Sequence, residues 1–251
     1  MEKNLLQIRS SFKQKFAQYL HYFKAKYRNE KLSEINLLKR FIPSGAVIFD
    51  IGAEFGQYSK IFANIHNKSC TVYCFEPVDY TREVLIKVLK KYHNTSIFSN
   101  AFLDTDGKTF INIPLKKSGK LGPGLATIGK QTDRNFVKQA IEAKTLDNFL
   151  LEQKINNLNF IKIDVEGAEL LVFKGGINSI KKFKPVIKSE VDSTLLNRVG
   201  VTVDQLFDFF NNLNYEFYIV ENNSLIKVLN YKYPTDYLFI PKDFDKSSLS
   251  I

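Results

Sequence analysis

The sequence predicts an α/β fold, a mostly parallel sheet with helices on both faces, and three observations predict it. Apolar, β-rich runs alternate with helical patterns from residue 46 onward, a buried strand runs into a glycine turn and a helix in "VIFDIGAEFGQYS" (47–59), and the next strand ends on an acid in "VYCFEP" (72–77). Such alternation implies parallel strands joined by right-handed crossovers. A chain of 251 residues with 44% hydrophobic content can bury one sizeable core. It has no run of about 18 apolar residues and no continuous apolar stretch near its start, so it reads as a cytoplasmic protein without a spanning helix or signal peptide.

Residues 1–40 read as a basic helical extension, 41–243 as the main domain and 244–251 as a frayed tail. Residues 1–31 hold eight basic and two acidic side chains, six of the chain's net +10. A basic surface attracts phosphate, nucleic acid or membrane, although a biased genome composition produces the same excess of lysine. Phe12, Phe16, Tyr19, Leu20, Phe23 and Tyr27 recur at spacings of three and four along one helical face. Such a stripe predicts packing on the domain, with peripheral membrane contact as the alternative.

A second helix over 33–41 stops at Pro43 and Gly45, and strands follow over 46–51, 70–75, 95–99, 109–113, 159–163, 185–191, 215–220 and 236–240. Helices fall over 57–66, 80–92, 146–154, 167–181 and 202–213, the last opened by the capping box Thr202–Gln205. The stretch 116–130, "KKSGKLGPGLATIGK", has four glycines, four lysines and no apolar period, which predicts a mobile loop. A closing antiparallel hairpin is expected near the end, with a further short strand possible between 221 and 235. Cys70 and Cys74 share one strand at a separation of about 13 Å, at about 3.3 Å per residue, too far apart to bridge.

Chemistry concentrates at strand ends. Gly52 and Gly56 allow a tight turn with close approach of backbone amides, and the next helix offers its N-terminus. The pattern is D-x-G-x-x-x-G, with Asp50 ahead of the glycines and Glu54 between them. Two acids are hostile to a diphosphate and tolerable to S-adenosylmethionine, which carries a sulfonium, an ammonium and a carboxylate. Glu76 lies twenty-four residues beyond Gly52, near the spacing for a carboxylate that accepts from ribose hydroxyls, and Pro77 ends its strand. Asn100 and Ala101 occupy the strand end that commonly faces an adenine ring, while Asp104, Asp106 and Gly107 read as a hairpin turn. In "NFIKIDVEGAELLVFKGG" (159–176) a buried strand delivers Asp164 to the ligand-binding edge, and Glu166 and Glu169 follow at a helix start, where capping of the helix dipole is an equal explanation.

These stretches, with "AKTLDNFL", "KPVIKSEV" and "DYLFIPK", resemble in order and spacing the FkbM-type family of S-adenosylmethionine-dependent methyltransferases over residues 40–241. The block "KIDVEGAE…KGG" is the most specific part. The resemblance implies a Rossmann-like class I methyltransferase fold with a seven-stranded sheet, and methyl transfer to a hydroxyl oxygen on a sugar, glycan or related metabolite. It implies cofactor contacts from Asp50, Gly52, Ala53, Gly56, Glu76 and Asp164, extended to Tyr58, Pro77, Asn100 and Ala101 by their positions beside these. Family members typically carry Asn where this chain has Glu54, whose charge either repels the cofactor carboxylate or pairs with its ammonium.

A base must take the hydroxyl proton, and Asp164, Glu166 and Glu190 stand at the strand edges for it. A divalent ion on Asp164 is the minority alternative, and no metal is assigned. His21, His66 and His93 fall in no motif. An RNA methyltransferase is the enzymatic alternative, but the position after the fourth strand reads "DVEG" rather than the Asn/Asp-Pro-Pro-aromatic run of base-amine methylation. A non-catalytic cofactor-binding or membrane-associated scaffold is the third.

Overall fold

The computed structural model describes residues 12–27, 31–116, 121–128, 135–221 and 224–245. Helices α1 (Phe12–Tyr27) and α2 (Leu32–Leu38) precede β1 (Val47–Ile51), α3 (Gln57–Phe62), β2 (Thr71–Phe75), α4 (Asp79–Leu89) and β3 (Thr95–Phe98). There follow β4 (Ala101–Phe102), β5 (Gly107–Pro114), β6 (Phe136–Lys144), α5 (Leu146–Glu152), β7 (Phe160–Ile163), α6 (Glu169–Gly175), α7 (Ile177–Phe183) and β8 (Val186–Val191). The chain closes with α8 (Ser193–Arg198), α9 (Val203–Asn211), β9 (Tyr215–Glu221), β10 (Ser224–Val228) and β11 (Thr235–Pro241).

The main sheet runs β10-β9-β11-β8-β7-β1-β2-β3. Strands β3, β2, β1, β7 and β8 are mutually parallel, and β11 is antiparallel to both β8 and β9. The order reverses between β1 and β7, so their C-terminal ends open the crevice in which sheets of this kind bind ligands. The edge strand β10, paired to β9, brings the count to eight where seven were expected. A second sheet, β4-β6-β5, was not anticipated. In β6, Val137, Gln139, Ile141 and Ala143 are buried while Lys138, Ala140 and Glu142 are exposed, the period of a half-buried strand. Gln139 fastens this sheet to the main one, accepting from Asp79 N at 3.1 Å and donating to Pro77 O at 2.8 Å.

Each sheet face carries its own core. Ile48, Val72, Cys74, Phe160 and Val186 face Phe62 of α3 and the α2–α4 layer. On the other face Phe49, Phe75, Ile161 and Ile163 meet the α5–α9 layer. Phe149 of α5 is the hub there, with ring centroids 4.9 Å from Phe75, 5.0 Å from Phe98, 5.4 Å from Phe102 and 6.0 Å from Phe49, all edge to face. The single helix expected over 167–181 is two, broken at Gly175 and Gly176. A Cβ on Gly175 would lie 2.1 Å from Leu103 O and one on Gly176 2.5 Å from Leu146, so both serve close packing. Cys70 and Cys74 are buried free thiols.

Two expectations are corrected. The aromatic stripe of α1 does not pack on the domain: Phe16, Tyr19, Leu20, Phe23 and Tyr27 are exposed, and the buried side carries Gln14, Ala17 and Ala25. Small residues let α1 approach α4 closely, which the bulky stripe would prevent. The described part of the 116–130 segment is not a loose loop either. Thr127 and Asn112 exchange backbone bonds at 2.9 and 3.1 Å, Pro123–Leu125 form a 3-10 turn, and Leu121 and Ala126 are buried. The frayed tail expected over 244–251 lies outside the described residues from 246 onward, and none of the described helices is long and apolar enough to cross a membrane.

Phe149→Ala removes the hub of the aromatic layer and is expected to lower stability by about 3–5 kcal/mol in equilibrium urea unfolding. A loss below about 1 kcal/mol would contradict the central packing role.

Candidate functional site

The turn after β1 is held from below. Asp50 is fully buried; its carboxylate accepts from Ser59 Oγ and faces the Lys162 ammonium at 3.6 Å. Lys162, on the strand beside it and in register with it, is itself buried, donates to Gly52 O at 2.9 Å and stands 3.7 Å from Asp164. Burial acts to lower this ammonium's pKa, but Asp164 and Asp50 foremost, with Asp236 and Glu54, outweigh it and raise it. Gly52 has φ +74, and a Cβ there would lie 1.9 Å from Asp164 O, so the β1 and β7 ends meet only because this residue is glycine. Glu54 also takes left-handed backbone, φ +49, a conformation for which Asn is better suited than Glu.

Glu76, at the end of β2, is 6% exposed. Its Oε2 accepts from Glu54 N at 2.9 Å and its Oε1 from Val78 N at 2.8 Å. Burial raises its carboxyl to about 8 against the effect of those two amides. The β7–α6 turn is built likewise: Glu166 has φ +57, Gly167 φ +105, and the buried Glu169 carboxylate accepts from Val165 N at 3.0 Å and Gly167 N at 3.3 Å. Glu169 therefore shapes the turn. Burial first, and then Asp164, Glu190 and Glu169, raise Glu166 to about 8.

Two cavities meet at this edge. The first runs from Gly52 and Glu54 past Glu76 and Pro77 to Asn100, Ala101 and Phe102, with Ile111, Ala126 and Ile128 as its roof. Four carboxylates line it, from Glu54, Glu76, Asp164 and Glu166, and no lysine or arginine does among the described residues. The second is polar, lined by Tyr58, Lys162, Lys188, Glu190 and Asp236, and shares Gly52, Glu54 and Asp164 with the first. Lys188, in register with Lys162, bridges Glu34 at 3.1 Å and Asp236 at 2.6 Å. Two adjacent ammoniums are tolerated because each has its own carboxylates, and the Tyr58 ring lies over both, at 5.2 and 4.9 Å, with its hydroxyl donating to Glu34 at 2.8 Å. Glu190 is raised to about 7, by burial first and then by the neighbouring Asp164 and Asp236.

Of the residues singled out from the sequence, Gly52, Glu76, Pro77, Asn100, Ala101, Asp164 and Glu166 line the first cavity. Ala53, Tyr58 and Glu190 line the second, so Tyr58 stands on the lysine side. Asp50 lies beneath the turn, and Gly56 backs onto Leu85, 2.7 Å from where a Cβ would sit. Lys162, Lys188, Asp236 and Glu34 were missed. Their signal was a lysine at the centre of each of the apolar runs "FIKI" and "VIKS", where burial demands a partner. His21 stacks on Phe55 at 4.4 Å and His66 Nε2 lies 2.6 Å from Ile42 O, both structural. The described residues contain no His, Cys, Asp and Glu grouping able to hold a metal ion.

An open sheet with β7 and β8 on one side of β1, β2 and β3 on the other and an antiparallel β11 inserted beyond β8 is the class I methyltransferase fold. The "Methyltransferase FkbM domain" family matches residues 50–217, and the chain belongs to that family. Among solved structures, the methyltransferase FkbM of Methylobacillus flagellatus KT is 14% identical with a TM-score of 0.53, the match covering 78% of this chain and 44% of that one. The chain thus spans under half the length of that relative. Also similar are M. capricolum TrmK in complex with S-adenosylhomocysteine, at 14% identity, 82% and 66% coverage and TM-score 0.42, and a Thermotoga maritima SAM-dependent O-methyltransferase, at 13%, 83%, 63% and 0.40. At 14% identity the likeness to the Methylobacillus flagellatus structure is one of fold. No curated protein matches the chain.

Glu76, Glu166, Glu169 and Glu190 have folded-state pKa values of about 7 to 8 against 4.5 for a free glutamate. A raised carboxyl stabilises the fold fully below its unfolded pKa and loses that contribution as pH rises through the folded one. Stability in urea is therefore expected to fall between about pH 4.5 and about pH 8. Asp106, Asp236 and Asp243, whose pKa values are lowered, titrate below that window. A flat or rising profile would contradict the burial of these acids.

Proposed function

We propose that the protein transfers a methyl group from S-adenosylmethionine to a hydroxyl oxygen of a sugar, glycan or similarly hydroxyl-rich metabolite. One observation carries the reading: a cavity with four carboxylates and no lysine or arginine among the described residues meets a polar cavity at Asp164. A diphosphate would meet no cation there among the described residues, whereas a cofactor whose sulfonium and ammonium outweigh its one carboxylate draws acids of raised pKa into their ionised form. The apolar stretch of Phe102, Ile111 and Ile128 suits an adenine ring, and Glu76, whose oxygens keep lone pairs beyond the two amides they accept, suits ribose hydroxyls. Glu54, which lines both cavities, offers a carboxylate to an ammonium.

When bound, the cofactor supplies a methyl group on a sulfonium, with a neutral thioether as leaving group. The residues of the chain align the acceptor and receive its proton. Lys162 and Lys188 offer donors to acceptor oxygens in the second cavity. Glu190, at about pKa 7, is near the value at which a base is both ionised at neutral pH and able to hold a proton, and Asp164 lines the same cavity. A phosphate-rich acceptor such as RNA would meet Glu190 and Asp236 in the same cavity.

With labelled cofactor and pools of glycan, lipid-linked sugar and RNA, label is expected in one of the sugar pools. Turnover there should rise with pH through about 7, and Glu190→Gln should lower kcat by about 10²–10⁴-fold while abolishing that rise. Label in RNA alone, or a variant with unchanged rate and pH profile, would overturn the assignment.

A further inference from the structure

Helix α1 sits on the domain the wrong way round for a helix whose only partner is that domain. Its inner side is small and polar: Ala17 and Ala25 are buried, Gln18 Nε2 donates to Tyr80 O at 3.0 Å and to Glu83 at 2.8 Å, and His21 stacks on Phe55. The Lys60 ammonium reaches the carbonyls of Ala25 at 2.6 Å and Lys26 at 3.3 Å, a cation at the helix C-terminus. These contacts hold the helix in place and leave its apolar stripe outward, with Phe16 53%, Tyr19 57%, Leu20 50%, Phe23 37% and Tyr27 64% exposed. The stripe is continuous, since Tyr19 and Phe23 lie 4.5 Å apart and Phe23 and Tyr27 5.8 Å.

At about 100° per residue these five side chains fall within a sector of roughly 100°. Exposed lysines border it on both sides, Lys15 and Lys26 along one margin and Lys24 along the other. The helix carries no acidic residue. We propose that α1 is an in-plane anchor that seats the protein on an anionic lipid bilayer, the stripe entering the boundary between headgroups and acyl chains and the flanking ammoniums meeting lipid phosphates. A ridge bordered by cations at one level matches a plane that is apolar inside and anionic at its surface. A protein partner fits less well, because it would need an apolar groove with acidic groups along both of its edges to match the two basic margins. Single-stranded RNA fits less well too, since the rings pack on one another and leave few faces for bases. The groove between Leu20, His21 and Lys24 of α1 and Lys116 and Leu121 joins the anchor to the segment that roofs the first cavity.

The test is flotation of the full chain with vesicles of mixed phosphatidylglycerol and phosphatidylcholine, and of phosphatidylcholine alone. Binding to the anionic vesicles is expected, weakening with salt. Combined Phe16→Ser, Tyr19→Ser and Phe23→Ser substitution should reduce it by about tenfold or more. Lys15→Gln with Lys24→Gln should also reduce it by about tenfold and remove most of the salt dependence. Both variants change only exposed side chains and should keep the wild-type melting temperature. Failure of the wild type to float, or flotation unchanged in both variants, would overturn the proposal. So would a stripe-dependent dimer in sedimentation without vesicle binding, or retention on an RNA homopolymer, lost in the stripe variant, without vesicle binding.

Discussion

The Lys162 ammonium is the point on which the rest of the structure hangs. It is buried at the topological switch of the sheet, where it touches Asp50 on one strand, Asp164 on its own and the Gly52 carbonyl in the turn between β1 and α3. A buried ammonium without partners would cost several kcal/mol, and Asp50 without a cation would cost a similar amount. Together they fix the β1 end against the β7 end closely enough that only glycine fits at position 52. Tyr58 and the Lys188–Glu34–Asp236 group extend the same arrangement across β8, so two lysines on adjacent strands each keep their own carboxylates.

This arrangement divides the charges. The cations are drawn to the second cavity, while Glu54, Glu76 and Glu166 line the first. Burial then pushes several acids toward neutral pKa values, with Asp164 at the boundary. Glu76 and Glu169 are fixed by backbone amides in the turns they shape rather than by salt bridges, whereas Asp164 keeps the Lys162 ammonium beside it. The acids that cap turns and those that face the cavities come from the same short segments, which is why the block 162–169 carries so much of the pattern.

The parallel sheet was legible because strands buried on both faces read as apolar runs ending at glycine, proline or acid. The position of Asp164 followed from its strand end, and the capping box at Thr202 is present as read. Strand β6 was missed because "FVKQAIEAK" has the composition of a helix and declares its period of two only against a partner. Helix α8 was missed because six residues capped by Asp192 give too little periodicity to detect. For α1 the stripe was found but its direction was reversed: spacing shows that a face is apolar, and the small residues opposite it decide which face the domain takes. Lys162 and Lys188 were passed over as interruptions of apolar strands, because their partners are contributed by residues distant in sequence, among them Asp50, Glu34 and Asp236.

The central claim is that the charge of the first cavity selects a cationic adenosyl cofactor. Calorimetric titration of the protein with S-adenosylmethionine and, separately, with NAD tests it most directly. The account predicts saturable one-to-one binding of S-adenosylmethionine and no detectable heat of binding from NAD at the same concentrations. Binding of NAD with comparable affinity, or no binding of S-adenosylmethionine, would contradict it.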